Sequence, residues 1–154
     1  MTLKLLEEAI DALADYIKDN LEAKITALNT EYDDSLLTIP KAYYLGNVPD
    51  EIPEYPSICL QGDGFTLESQ TAYTLENDYT VNIFVYVGDQ DAETRFRKLC
   101  RYARAIVELL NSGESTYGYT HFINGKISIS DTLSSPYYLQ AVMIPVALKK
   151  AEDY

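Results

Sequence analysis

A strand signal followed directly by a helix signal occupies residues 79–110, which read YTVNIFVYVGDQDAETRFRKLCRYARAIVELL. In the first nine residues, aliphatic positions alternate with polar or aromatic ones, the period of two that predicts a β-strand. The aliphatic set is Val81, Ile83, Val85 and Val87, and the alternate set is Asn82, Phe84 and Tyr86. Because the alternate face is aromatic instead of charged, it is suited to burial too, against another subunit.

A second helix is predicted over residues 91–111, with Asp89 or Asp91 as its N-cap and Gly113 just beyond its end. On a helical wheel, one arc of about 120° is apolar. This arc holds Phe96, Leu99, Cys100, Ala103, Ile106, Val107 and Leu110. The opposite face is basic and holds Arg97, Lys98, Arg101 and Arg104.

Upstream of this stretch, apolar residues at spacings of three and four predict an amphipathic helix over residues 3–20, in an N-terminal helical segment covering 1–29. Asn20 is expected to break it and leave a second short helix over 21–29.

Four X-Pro pairs then indicate a proline-rich arm over 36–56, with one short strand near 37–45. A strand at 57–61 ends at the glycines of Gly62-Asp63-Gly64, and 65–74 pairs with 79–87 in a hairpin whose turn is 76–78.

Downstream of the second helix, the sequence predicts a loop over 115–125, a short strand over 126–130 and a long strand over 137–149. Val142, Ile144, Val146 and Leu148 form one apolar face of the long strand, and Pro145 implies an edge position or a bulge. The order of elements predicts an α+β fold in one domain of residues 1–154. It is a mixed, mainly antiparallel sheet with two main helices packed on one face.

Composition excludes several classes of protein. The 154 residues carry 12 Lys and Arg against 24 Asp and Glu, so the net charge is −12, and 47% are hydrophobic. The apolar fraction is too high for a disordered acidic tail, and the charge disfavours nucleic acid or an anionic membrane as the main partner. No signal peptide or membrane span is expected, and Cys59 and Cys100 are expected to be buried, reduced thiols, in keeping with synthesis in a cytoplasm.

The sequence contains no recognisable catalytic or metal-binding pattern. His121 is the single histidine and has no catalytic motif around it, so a nucleophilic triad is not expected, and one His with two scattered Cys does not provide a zinc site. The acids from Asp89 to Glu93 lack the glycine and the closing glutamate of an EF-hand loop, and Gly62-Asp63-Gly64 is a turn and not a phosphate cradle. We therefore expect a protein that is not an enzyme and that holds no cofactor or metal.

The charge is unevenly distributed along the chain. Residues 1–94 hold 19 acids and 4 bases, a net of −15, whereas residues 95–154 hold 5 acids and 8 bases, a net of +3. Three interpretations of the basic helix face are open: a solvated face paired with acids of the same chain, an acid–base seam between subunits, or contact with nucleic acid. The fourteen tyrosines, with no tryptophan, either cover a small core or lie at interfaces.

Several stretches together resemble the tail terminator, or tail-completion, proteins of the neck of long-tailed bacteriophages. They are YIKDNL at 16–21, AYYLG at 42–46, YPSICL at 55–60, the strand at 79–87 with Gly88-Asp89 after it, and RYARAI at 101–106. The resemblance spans nearly the whole chain. It implies a homo-oligomeric ring, usually a hexamer, in the virion.

Such a ring sits at the head-proximal end of the tail tube, stops tube polymerisation and joins the tail to the head connector. Its partners would be the tail tube protein and the connector or stopper protein, and DNA would pass through its lumen without specific binding. We expect Arg97, Lys98, Arg101 and Arg104 at the intersubunit or connector seam. Contacts to the tube or a neighbour are expected from Tyr43, Tyr44, Tyr55, Glu68, Tyr73 and Glu76. The alternatives are a connector adaptor or stopper of the same neck and, from a different class, an acidic DNA-mimic inhibitor.

Overall fold

A computed structural model describes residues 5–46, 54–69, 74–111, 113–114, 116–130 and 139–153. Two α-helices and seven strands make up these ranges. The helices are α1 (Leu5–Tyr32) and α2 (Ala92–Leu110). The strands are β1 (Ala42–Leu45), β2 (Ser57–Ser69), β3 (Thr74–Gly88), β4 (Gly113–Glu114), β5 (Thr120–Ile123), β6 (Ser128–Ile129) and β7 (Leu139–Asp153), and a 3-10 turn covers Thr116–Gly118.

The strands form one mixed sheet in the order β1-β2-β3-β7-β5-β4, with β6 also paired to β7. Only β1 and β2 run parallel, and the other pairs are antiparallel. Both helices pack on one face of this sheet, where they share a core with the predicted aliphatic rows of β3 and β7. The predicted α+β class, with a mainly antiparallel sheet and two helices on one face, is confirmed.

The first helix is one continuous element of 28 residues, about 42 Å long at the usual rise per residue. The prediction of a break at Asn20 is wrong, because the Asn20 side-chain amide donates to the Tyr16 carbonyl oxygen at 2.8 Å and stays within the helix. Leu13 and Ile17 are fully buried, as their spacing indicates. The helix ends at Tyr32, and Asp33 follows with a positive φ of 53°.

The second helix begins at the predicted cap: Asp91 accepts a hydrogen bond from the Thr94 N–H at 2.9 Å. Its buried face, however, is rotated toward Arg95 and Tyr102, while Phe96 and Cys100 of the predicted apolar arc are exposed. Arg95 tolerates burial because its guanidinium donates to Gln140 Oε1 and to the Asp89 carbonyl oxygen, both at 2.7 Å. The expectation of two buried thiols therefore holds for Cys59 and is wrong for Cys100.

The β2–β3 hairpin is longer than predicted. Gly62-Asp63-Gly64 does not end β2 but forms a bulge within it, where the register shifts between Gly62 and Gly64. Residues 76–78 lie inside β3 and not in a turn. Asn77 is a typical turn residue, yet it is buried, and its amide nitrogen donates to the Tyr79 hydroxyl of the same strand at 2.9 Å.

The C-terminal part contains a strand where a loop was predicted, since β5 occupies 120–123. The long strand β7 lies between β3 and β5, so Pro145 is not on a sheet edge. Its carbonyl oxygen accepts from the Asn124 N–H at 3.0 Å. Because the N–H and C=O of one strand residue point the same way, the donor that Pro145 lacks faces the interval between β5 and β6, where no partner strand needs it.

Candidate assembly interface

The predicted basic residues of α2 all have carboxylate partners in the same chain. At the start of the helix, Arg97 pairs with Glu93 at 2.9 Å and Lys98 pairs with Asp89 at 3.0 Å. Burial works against the charge on Asp89, but hydrogen bonds from the Asp91 N–H and from Lys98 outweigh it and lower the pKa of the carboxyl. Both cations are therefore paired with carboxylates at or just before the start of their own helix.

Farther along α2, a second group of contacts joins this helix to the end of α1. Arg101 donates to Asp34, and its guanidinium lies 4.0 Å from the centre of the Tyr32 ring. Arg104 pairs with Glu31 at 2.6 Å and donates to the Tyr32 hydroxyl at 3.0 Å. We call these contacts the α1–α2 clasp. The hydrogen bond from Arg101 lowers the pKa of Asp34.

Charge on this side of the molecule is balanced. The cations are Lys24, Arg97, Lys98, Arg101 and Arg104, and their partners are Glu31, Asp34, Asp89, Glu93 and Glu108, five of each. If this face formed the seam between two subunits, its cations would have to give up carboxylate partners in their own chain for partners in the next chain. Replacing Arg101 by Glu would also place two carboxylates together in the clasp, so that variant probes the fold as well as any interface.

An unbalanced surface lies instead on α1. Its exposed side carries a row of carboxylates at helical spacing, which we call the acidic row: Glu7, Asp11, Asp15, Asp19 and Glu22. In the described part of the chain none of the five forms an ion pair. Like charges four residues apart on a helix repel one another. The spacing was visible in the sequence, but only the structure separates these acids from the paired ones.

The sheet face that points away from the helices is aromatic, as the alternation in β3 indicated. We call this the outer face. Tyr44, Cys59, Phe84 and Met143 are cross-strand neighbours on it, and the Phe84 and Tyr86 rings stack at 6.2 Å. Burial raises the pKa of the Cys59 thiol and of the Tyr86 hydroxyl. Beside these rings, Ser128, Ser130 and Ala141 border an open groove of about 270 Å³.

The residues predicted to contact the tube or a neighbour fall in different places. Tyr43 packs against the core, where burial raises its pKa to about 12, and Tyr44 lies on the outer face. Glu68 and Glu76 are register partners on β2 and β3. Tyr73 lies outside the described residues. Tyr55 contacts Gly88, at the start of the connection from β3 to α2.

One cleft brings together a residue from each predicted set, Tyr55 and Lys98. It has a volume of about 250 Å³ and lies where the segment after α1 meets the end of β3 and the middle of α2. We call it the lysine cleft. Its walls include Thr38, Lys41, Tyr55, Gly88, Lys98 and Tyr102. Lys41, which the sequence did not single out, is exposed, and no carboxylate partner for it occurs in the described ranges.

His121 is 1% exposed, and its ring packs against Tyr16 with centroids 4.7 Å apart. Burial lowers its pKa. Within the ranges that the structure describes, no three His, Cys, Asp or Glu side chains are grouped to hold a metal ion. Neither α1 nor α2, the two helices described, is long and apolar enough to cross a membrane.

No protein-family model matches this sequence, and a search of curated proteins finds no match to it.

Proposed function

We propose that this protein is a structural component of a bacteriophage neck. It forms a homo-oligomeric ring at the head-proximal end of the tail tube, ends tube polymerisation and joins the tail to the head connector. The proposal follows the resemblance of the stretches at 16–21, 42–46, 55–60, 79–89 and 101–106 to tail terminator proteins. In this role the protein acts by binding, in the virion, and needs no cofactor.

The observation that carries the proposal is the aromatic outer face. Phe84, Tyr86, Met143 and Tyr44 lie on a sheet face over which no described helix packs, and they border an open groove. Tyr86 is buried and the other three side chains are half-buried, and Tyr, Phe and Met are enriched at protein contacts. A net charge of −12 suits a ring through which DNA passes without adhering, because the phosphates are repelled.

A neighbouring position in the same neck, as a connector adaptor or stopper, uses the same surfaces. The two roles differ in the partner that the ring contacts. A terminator shortens or caps tubes of purified tail tube protein, whereas an adaptor binds the connector and leaves tube length unchanged.

The direct experiment measures the mass of the protein in solution by light scattering and then images it with purified tail tube protein. We expect a mass several times that of one subunit, as a ring requires, and we expect tubes that are capped or shortened. Phe84→Asp is expected to abolish capping, because it places a charge in the outer face. Phe96→Asp is the matched control, since Phe96 is 55% exposed on α2. A strict monomer that leaves tube length unchanged would contradict the proposal.

A second function, inhibition by DNA mimicry, is favoured by the acidic row. Its carboxylates recur at a rise of about 6 Å, in a regular line on one side of the protein. Such a line can occupy the phosphate-binding surface of a basic protein. This function predicts a small particle of fixed mass that competes with DNA for a purified DNA-binding protein. Replacing Asp11 and Asp15 by Asn would weaken that competition.

A further inference from the structure

The lysine cleft is a site for a carboxylate. We propose that it receives an acidic side chain from the acidic row of a second copy of this chain. The inference rests on the proposed ring and assigns the two surfaces that meet in it. The cleft belongs to one subunit and the row to the next.

Donors in the cleft are not used up within the chain. The Lys41 ammonium and the Tyr55 hydroxyl have no hydrogen-bond or ion-pair partner among the described residues, and Lys98 pairs with Asp89 alone. Tyr102 is different, because its hydroxyl is already bound to Thr38. A carboxylate entering here would meet two lysines and a phenol. Anions accept strong hydrogen bonds from such groups.

The charge distribution selects the occupant. The chain has a net charge of −12, so an unpaired positive charge beside a cavity, that of Lys41, is opposite in sign to the charge of the molecule as a whole. The acidic row is its complement: five carboxylates on one helix face, without ion pairs in the part of the chain that the structure describes. Bringing the row to the cleft relieves repulsion within the row and pairs Lys41.

The two surfaces also suit a ring. The row lies on α1 and the cleft lies between the end of β3 and the middle of α2, so they are different patches of one molecule. Contacts between unlike patches are heterologous, and they close into a ring when the rotation permits. A cleft of about 250 Å³ has room for one carboxylate side chain, so one acid of the row enters while its neighbours surround the entrance.

A charge exchange tests this pairing. Lys41→Glu is expected to raise the concentration needed for half assembly by about tenfold, measured by sedimentation velocity. Lys41→Gln is expected to have a smaller effect in the same direction. Lys126→Glu is the matched control: Lys126 is also exposed, has no ion pair within the described ranges and does not line the cleft. Combining Lys41→Glu with Asp11→Lys and Asp15→Lys is expected to restore assembly.

Three results would overturn the inference. One is wild-type assembly by folded Lys41→Glu protein, and another is failure of the charge exchange to restore it. The third is normal ring assembly by Lys41→Glu with loss of tube capping, which assigns the carboxylate to the tube protein. In the first and third cases rings still form, so the proposed function survives. Wild-type protein that remains monomeric and does not cap tubes defeats both.

Discussion

The Tyr102 hydroxyl forms two hydrogen bonds with the backbone of Thr38. It accepts a hydrogen bond from the Thr38 N–H at 2.9 Å and donates one to the Thr38 carbonyl oxygen at 2.6 Å. These two residues lie 64 positions apart, so the pair attaches the segment after α1 to the middle of α2. The Tyr102 ring is fully buried, and the same residue forms one wall of the lysine cleft.

Tyr102→Phe is expected to lower the free energy of unfolding by about 1 kcal/mol, because it removes both hydrogen bonds and keeps the ring. Urea denaturation of both proteins measures the difference. Tyr43→Phe is the control, since the Tyr43 hydroxyl has no hydrogen-bond partner in the described residues, and it should leave stability unchanged. Equal losses in the two variants would refute a special role for Tyr102.

Asp34 should make stability depend on pH in the acid range. Its pKa in the folded protein is lowered from the ordinary value of 3.8 by the hydrogen bond from Arg101. The ionised group therefore stabilises the fold above pH 3.8, and this contribution is lost as the pH falls below that value toward the folded pKa.

Asp34→Asn is expected to flatten that part of the stability profile, followed by the urea midpoint at a series of pH values. Asp33→Asn removes an adjacent carboxylate that has no ion pair in the described chain, and it should keep the wild-type profile. A wild-type profile in Asp34→Asn would show that the clasp contributes nothing to acid stability.

His121 is expected to titrate below its ordinary pKa of 6.5, because burial disfavours the charged imidazolium. The unfolded chain then binds more protons than the folded one, and stability decreases as the pH falls from 6.5 toward the folded pKa. The chain has one histidine, so the titration of His121 can be followed through its ring proton signals by NMR without overlap from another histidine. A midpoint at or above 6.5 would mean that a compensating acidic neighbour stabilises the charged ring.

Gly88 is expected to tolerate no larger residue while Tyr55 is in place. A Cβ added at Gly88 would lie 2.5 Å from Tyr55 Cε2, too close for the ring to remain where it is. Gly88→Ala should cost about 1–3 kcal/mol through overpacking, measured by thermal or urea unfolding. Adding Tyr55→Ala should recover part of the loss, and no recovery would place the strain elsewhere.

The parts of the fold that were predictable are those in which local pattern and final burial agree. The alternations in β3 and β7 gave the sheet, because the aliphatic side of each strand is fully buried. The Asp91 cap was predictable because a cap requires only local contacts. The α+β class followed from the order of these elements.

Errors arose where a side-chain hydrogen bond accommodated a residue that is not typical of its element or face. Asn20 was expected to end a helix and Asn77 to form a turn, yet each side chain finds a hydrogen-bond partner inside its element. The face of α2 was misjudged because Arg95 counts as polar in a sequence pattern, although it is buried through bonds to Gln140 and Asp89.

For the candidate interface, sequence identified the basic helix face but not its partners. Arg101 and Asp34 are separated by 67 positions, and no local rule brings them together. Lys41 gives no sequence signal because one lysine in an otherwise mostly apolar connecting segment belongs to no motif. Its importance comes from what surrounds it, a cleft formed by residues from separate parts of the chain.

Pro145 has a practical consequence. Pro145 has no N–H to donate on the side that faces the interval between β5 and β6. The chain opposite Pro145 therefore does not need to continue as a strand from β5 to β6. The connection between these strands includes Lys126 and Ile127, both exposed. A short peptide tag inserted between them would lengthen a surface loop and leave the ladder intact, which offers a place to attach a label to the folded protein.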